Sequence, residues 1–448
     1  MPTYRIITLG CKVNQQESEA LSTRLKKGSW RKASPNHNAD VCIINTCTVT
    51  GKASMQSRQE IRKAIKANPG ARIIVTGCYA QTAPDDIKSI SGVHHILGNA
   101  FKLSLPESIL SSDVHKTDRS PALKISNMMK ENRFQTVPAI LPGERTRPFL
   151  KIQDGCDAFC TYCIVPYARG KSRSMTKKDI MHHLRLFNRN GVREAVLTGI
   201  HLGCYGQDLD PENGRLFDLL YAIDSEKVLD RIRLSSIEPH ELTDDIIKLV
   251  ASSDIICPHF HVPLQSGDDM VLTRMHRPYT RDLFRNLIHK IKHHLPDAAI
   301  GVDVMAGFPG EKEGAFNNTL RLIEELPVSY LHVFPFSPRE GTPAATYPDQ
   351  ISPGIIKKRC HRLREVGNAK RSEFYKSAIG KKTALLVETK RDSTTGFLKG
   401  LSPNYIPVLL QGEDHLMSQI VNMTVDRIDD DLNVYGSLLS TPLPSSKK

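Results

Sequence analysis

No stretch of this chain is apolar for anything near the roughly 20 residues that a helix needs to cross a bilayer. That absence argues against a helical membrane protein, and no membrane partner is expected. The opening MPTYRIITLG lacks a basic patch followed by an apolar segment, so it does not read as a secretion signal, and a cytoplasmic location is expected. The pattern G-x-G-x-x-G is missing, and ARGKS (168–172) has no upstream glycine of a phosphate-binding loop, so neither common nucleotide motif is present. H-x-E and P-C-x-x-C are missing too, which excludes the zinc deaminases. Acidic residues are in short supply, 48 against 61 Lys and Arg, for a net charge of +13. Such an excess suits a polyanionic partner, nucleic acid first, although solubility alone also accounts for it.

What the chain does have is cysteine, ten in 448 residues. A chain of this length buries several cores without disulfide staples, and in a reducing compartment its thiols serve as metal ligands or nucleophiles. Three of them, Cys156, Cys160 and Cys163, crowd into DGCDAFCTYCIVPYARG (154–170) with the spacing C-x3-C-x2-C. A free thiol ionises near pH 8.5, so three thiolates side by side need a metal or a positive field to hold them. A thioredoxin-like pair leaves Cys156 unexplained. Structural zinc takes four protein ligands, so a zinc knuckle would borrow a distant histidine, a reading that stays open. In a 4Fe–4S cluster, three thiolates hold three irons and leave the fourth free to bind a small molecule.

The surrounding pattern places these thiols. YRIITLGC (4–11), ADVCIINTC (39–47) and ARIIVTGC (71–78) read as strands, separated by the helical stretches 14–28 and 54–70. Strands alternating with helices predict a doubly wound parallel sheet over residues 1–103. Cys11, Cys47 and Cys78 each end one of those strands, at the edge where open α/β sheets bind ligands, so they are expected to converge. Cys42, inside its strand, reads as a small buried hydrophobe. Residues 104–141 read as a connector. From 142 to 376 alternation resumes, with strands expected at 148–156, 194–200, 231–237, 259–265, 300–309 and 330–338. About six βα units form a partial or complete barrel, whose active face lies at the strand C-terminal ends. The helix at 355–376 carries eight Lys and Arg against two Glu and reads as a basic track. Residues 377–440 predict a small all-β barrel, and 441–448 a disordered tail.

C-x3-C-x2-C after the first strand of a βα barrel resembles the radical S-adenosylmethionine superfamily. TLGCKVNQ, INTCTV, VTGCYAQ, LKIQDGCDAFCTYCIVPYARGKSRS, LTGIHLGCYG, HFHVPLQSGDDMVLTRMHRPYT, AGFPGE and SPREGTPAA together resemble its methylthiotransferases, and TLGCKVNQ most resembles their MtaB type. GKKTALLVE and NYIPV look like that family's TRAM domain, which contacts nucleic acid. The resemblance implies two 4Fe–4S clusters and S-adenosylmethionine, with Cys156, Cys160 and Cys163 holding the radical-generating cluster. Cys11, Cys47 and Cys78 would hold the second, sulfur-supplying one. It implies Thr198, Ser235, Ser236, Glu238, His261 and Gln265, which cap barrel strands, as candidates to bind the cofactor. Arg169, Lys171 and Arg173 are candidates for tRNA phosphates, and Phe159 and Tyr162 for shielding the cluster. The implied reaction is methylthiolation of C2 of N6-threonylcarbamoyladenosine in a tRNA anticodon stem-loop, with an electron donor such as flavodoxin or ferredoxin. Sister types act on isopentenylated adenosine or on a ribosomal-protein aspartate. A non-catalytic iron–sulfur or zinc RNA-binding protein is the alternative of another class. Cys204, Cys257 and Cys360 are expected to be ordinary thiols.

Overall fold

The computed structural model describes residues 1–34, 37–105, 121–136 and 145–439. Its first sheet consists of β1 (Thr3–Thr8), β2 (Arg31–Lys32), β3 (Val41–Thr46), β4 (Arg72–Gly77), β5 (His95–Leu97) and β6 (Ala122–Lys124). All pair in parallel, in the order β2-β1-β3-β4-β5-β6, so the direction of winding reverses between β1 and β3. Successive side chains on a strand face opposite ways. Ile43 packs with Leu21 and Leu25 of α1 (Lys12–Lys27), whereas Cys42 and Ile44 pack with Ile61 and Ala64 of α2 (Gly51–Ala67). Thr50 caps α2 by accepting from the Ala53 N–H at 3.1 Å. Cys42 is fully buried, as its mid-strand position implied.

One element departs from the sequence-based expectation. β6 lies inside the stretch expected to be a connector and extends the sheet. It is three residues long and exposed throughout, so it leaves no hydrophobic period to detect. Residues 106–120 and 137–141 of that connector, and the tail 441–448, lie outside the described residues.

The central region begins with β7 (Phe149–Lys151) and a short antiparallel pair, β8 (Gln153–Asp154) and β9 (Arg173–Ser174). It continues through β10 (Glu194–Thr198), β11 (Arg231–Leu234), β12 (His259–Gln265), β13 (Ala299–Ala306) and β14 (Tyr330–Pro335). β7-β10-β11 and β12-β13-β14 form two parallel sheets, and an Ile232–Ile256 bridge beside β11 leads toward the second. Together they make an open six-stranded arc, a partial barrel. Leu197, Leu234, Val262 and Val302 join the core beneath the outer helices. The alternate positions, among them Val196, Arg233, His261 and Asp303, therefore face the lumen.

The C-terminal strands β15 (Lys382–Arg391), β16 (Leu398–Leu401), β17 (Pro407–Leu410), β18 (Ile420–Ile428) and β19 (Val434–Leu438) close into a barrel in the order β15-β16-β17-β19-β18. Its 402–405 loop covers the strand-start end of the arc. Arg233 donates to the carbonyls of Pro403 (2.9 Å) and Ser402 (3.1 Å), and Tyr405 stacks on His259 with ring centroids 4.2 Å apart.

The basic helix, Pro353–Lys376, is less free than its composition suggested. Arg359 is buried against Glu311 (2.9 Å), Arg362 meets Glu313 (3.1 Å), and Lys370 donates to the carbonyls of Glu324 and Leu326. Those three cations dock the helix on the arc, and only the remainder are left for a polyanion. No helix among the described residues is long and apolar enough to cross a membrane.

Candidate active site

Cys11, Cys47 and Cys78 follow β1, β3 and β4, three neighbouring strands in register: Thr8 pairs with Asn45, and Asn45 with Thr76. Cys11 is the N-cap of α1, and Cys78 opens the short helix α3 (Cys78–Thr82). Glycine precedes both. Gly10 and Gly77 have φ of 95° and 98°, and a Cβ on Gly10 would fall 2.8 Å from the Cys47 sulfur. A Cβ on Gly77 would fall 2.5 Å from the Thr46 carbonyl oxygen. Only glycine lets the chain turn this sharply while the neighbouring strand ends come so close. Burial, aided by the neighbouring Cys78, pushes the Cys47 thiol up to about 11. Cys11 keeps an accessible surface, yet enough protein surrounds it that desolvation raises its thiol as well.

Cys156, Cys160 and Cys163 occupy the loop between β8 and the short helix Val165–Arg169. The Cys163 N–H donates to the Cys160 carbonyl (2.9 Å) and the Cys156 N–H to Gly170 (3.0 Å), folding the loop back on itself. Phe159, inside it, sits at φ 44° and meets Tyr167 edge-on. A left-handed phenylalanine is a strained conformation, of the kind that gathers at functional sites. Burial, with Cys160 and Cys156 close by, pushes the Cys163 thiol up to about 12. Arg277 donates to the Cys160 sulfur at 3.1 Å and also grips Glu238.

Both triads meet at one knot of charge. Arg169, at the end of the second cysteine loop, donates to Glu17 (3.0 Å), Asp154 (2.9 Å) and Asn14 (2.7 Å). Lys151 bridges Glu17 and Asp154, each at 3.0 Å, and Lys102 reaches Glu17 at 2.5 Å. Burial opposes charge on Glu17, but Arg169, Lys102 and Lys151 outweigh it and hold the carboxyl well below the usual range. Arg169 also lies within electrostatic reach of Cys11 and Cys78. Across the same seam Asn99 donates to the Ala168 carbonyl (2.8 Å) and points at the Cys78 sulfur (3.8 Å). This corrects the expectation that Arg169 and Arg173 hold phosphates. Both are buried, and Arg173 donates to the Arg169 carbonyl at 2.6 Å; only Lys171 is exposed. A run of basic residues does not reveal, by composition, whether its partner is a ligand or a carboxylate elsewhere in the chain.

The donor set fits iron–sulfur ligation. All six thiols are free of disulfide bonds, each trio is gathered in one place, and burial raises the Cys47 and Cys163 thiols, so holding those two as thiolates calls for a metal. His201, whose Nδ1 is 3.4 Å from the Cys156 sulfur, is the nearby imidazole that a zinc reading would use. Burial opposes its charge, but bonds to Cys156, Cys204 and Glu241 outweigh that and raise it well above the usual imidazole range; with Cys204 and Glu241 it also forms a group whose ligand atoms lie within 4.8 Å of one another.

Of the residues expected to bind the cofactor, Thr198, Ser235, His261 and Gln265 share the lumen side of their strands, and Glu238 is held by Arg277. The Ser235 hydroxyl is buried without a partner, His261 bonds Asp303 at 2.8 Å, and Ser236 is exposed. Sequence reasoning missed Arg277, Glu17 and the group His201, Cys204 and Glu241. Cys204, expected to be ordinary, lies 3.2 Å from Glu241. The motifs MHRPYT and HLGC contained the signal, but partners far apart in sequence gave each residue its role.

Residues 3–98 match the family described as uncharacterized protein family UPF0004, and residues 150–323 match the radical SAM superfamily. The threonylcarbamoyladenosine tRNA methylthiotransferase MtaB of Bacillus subtilis is 38% identical, over 95% of this chain and 94% of that one. The tRNA-2-methylthio-N(6)-dimethylallyladenosine synthase of Clostridium botulinum is 35% identical over 94% of each. A solved structure of the radical S-adenosylmethionine methyltransferase TsrM from Kitasatospora setae covers 77% of each chain with a TM-score of 0.57 at 12% identity, a likeness of fold.

Proposed function

Because the chain belongs to the tRNA methylthiotransferases of the radical S-adenosylmethionine superfamily, we propose that it methylthiolates C2 of N6-threonylcarbamoyladenosine beside the anticodon of tRNA. The observation that carries this reading is the pair of three-cysteine sites joined through Arg169, Glu17 and Asp154. Bound together, an iron–sulfur cluster and S-adenosylmethionine supply a one-electron route to an aromatic C–H bond that no side-chain base is strong enough to break.

The residues divide the work. Cys156, Cys160 and Cys163 would hold an iron–sulfur cluster able to bind S-adenosylmethionine, and Cys11, Cys47 and Cys78 would hold a second one able to supply sulfur. Arg277 donates to the sulfur of Cys160 and draws charge from it, and the His201 ring lies against the sulfur of Cys156. Thr198, Ser235, Glu238, His261 and Gln265 orient the cofactor from the lumen, and Ser236 caps its edge. Phe159 and Tyr162 exclude water and oxygen. The C-terminal barrel (377–440), a TRAM domain, meets the anticodon stem-loop, and a cytoplasmic flavodoxin or ferredoxin donates the electron.

Deleting the gene should abolish the 2-methylthio-threonylcarbamoyl nucleoside in digests of cellular tRNA read by mass spectrometry, and the intact gene should restore it. Loss of the methylthio-isopentenyl nucleoside instead would move the assignment to the sister type.

A further inference from the structure

A cavity of about 1020 Å³ opens between α1, the lumen of the arc and the C-terminal barrel. Nine Lys and Arg side chains line it against two carboxylates, Glu19 and Glu388. Both carboxylates are taken, by Arg145 at 2.6 Å and Arg147 at 2.8 Å. Lys12 stands apart from the other cations. It is the first residue of α1, where the helix dipole favours a negative charge, and no acidic residue occupies that turn. Its charged neighbours include Arg233, Arg147 and Asp303. Arg233 is fixed by Glu194 (2.8 Å) and the 402–403 carbonyls, and Asp303 is claimed by His261 (2.8 Å) and His332 (3.3 Å). Among the described residues Lys12 makes no ion pair, so an ammonium with three donors faces a cavity and awaits an anion.

The two relatives described above are named for adenosines whose N6 groups differ in charge: a threonylcarbamoyl group ends in a carboxylate, a dimethylallyl group is neutral. In adenine, C2 and C6 flank N1, so the N6 group lies on the side of the ring that receives sulfur. If C2 faces the trio containing Cys11, that group's far end reaches the neighbourhood of the next residue. Resting on the function proposed above, we propose that Lys12 binds the substrate's side-chain carboxylate and so selects the threonylcarbamoyl nucleoside over one with a neutral N6 group.

Three synthetic anticodon stem-loops test this, alike except at the target adenosine: one with the free carboxylate, one with it converted to a primary amide, and one unmodified. In anaerobic anisotropy titrations the wild-type chain is expected to bind the first about 10-fold more tightly than the second, some 1.4 kcal/mol. Lys12→Met should erase that ratio by weakening the first alone, and Lys12→Arg should restore most of it. Iron content and melting temperature report any folding defect, and the amide comparison needs no variant. A wild-type ratio near one overturns the proposal. So does equal weakening of all three by Lys12→Met, which would put Lys12 on a backbone phosphate. Methylthiolation of the first stem-loop by the wild type, read by mass spectrometry, tests the function itself and can succeed while Lys12 fails.

Discussion

The two cysteine triads reach similar arrangements by different routes. Cys156, Cys160 and Cys163 lie within one loop, placed by local hydrogen bonds and a strained Phe159. Cys11, Cys47 and Cys78 are contributed by three strands, and only the register of β1, β3 and β4, with positive-φ glycines before two of the thiols, assembles them. The first site is a property of a segment, the second of a folded sheet. A loop-borne site tolerates rearrangement elsewhere, whereas a sheet-borne one is only as intact as its domain.

The largest test of that contrast removes one thiol from each. Cys160→Ser should abolish 5′-deoxyadenosine formation and methylthiolation together. Cys47→Ser should abolish methylthiolation yet keep cleaving S-adenosylmethionine, with bound iron falling from about eight to about four atoms per chain. Equal loss of 5′-deoxyadenosine in both would break the comparison. Next in size, Glu17→Ala leaves Arg169, Lys151 and Lys102 crowded at the seam with one acid fewer. Removing one member of a buried ionic cluster costs roughly 3–5 kcal/mol, so the melting temperature should fall markedly. Urea unfolding followed by separate probes in each half would show whether they still unfold together.

The smallest effect is one of pH, and its sign differs between the regions. Glu17 and Asp154 are depressed in the folded state, net of burial, by the surrounding Arg and Lys, so they stabilise above pH 4 to 5 and that stability is lost as acid protonates them. Glu311, beneath the arc, is the reverse. Burial, opposed by the Gly307 N–H and Arg359, raises it to about 7. Its contribution is complete below about pH 4.5 and is lost as pH rises to about 7, on the order of 3 kcal/mol. Glu311→Gln should flatten the melting temperature across that window and leave the acid limb, which belongs to the seam, unchanged.

Much of the architecture is legible in the amino-acid sequence alone. The strands leading to Cys11, Cys47 and Cys78 are apolar runs bounded by glycine or polar residues, and the expected strand 259–265 matches β12 at both ends because its alternation is so regular. β2 and β6 are not legible, being two and three exposed residues whose pairing comes entirely from their neighbours. The fate of charge is least legible of all. Arg169, Arg173 and Arg359 look basic and exposed in the sequence, and each is buried by a carboxylate or a carbonyl that the fold brings to it.

Tyr405 and the backbone of Ser402 and Pro403 act as a stopper in the floor of the arc. The C-terminal barrel is therefore a wall of the arc's lumen, whatever else it contacts. Cutting it away would unseal the chamber beneath His259 and Arg233 and let water in from below.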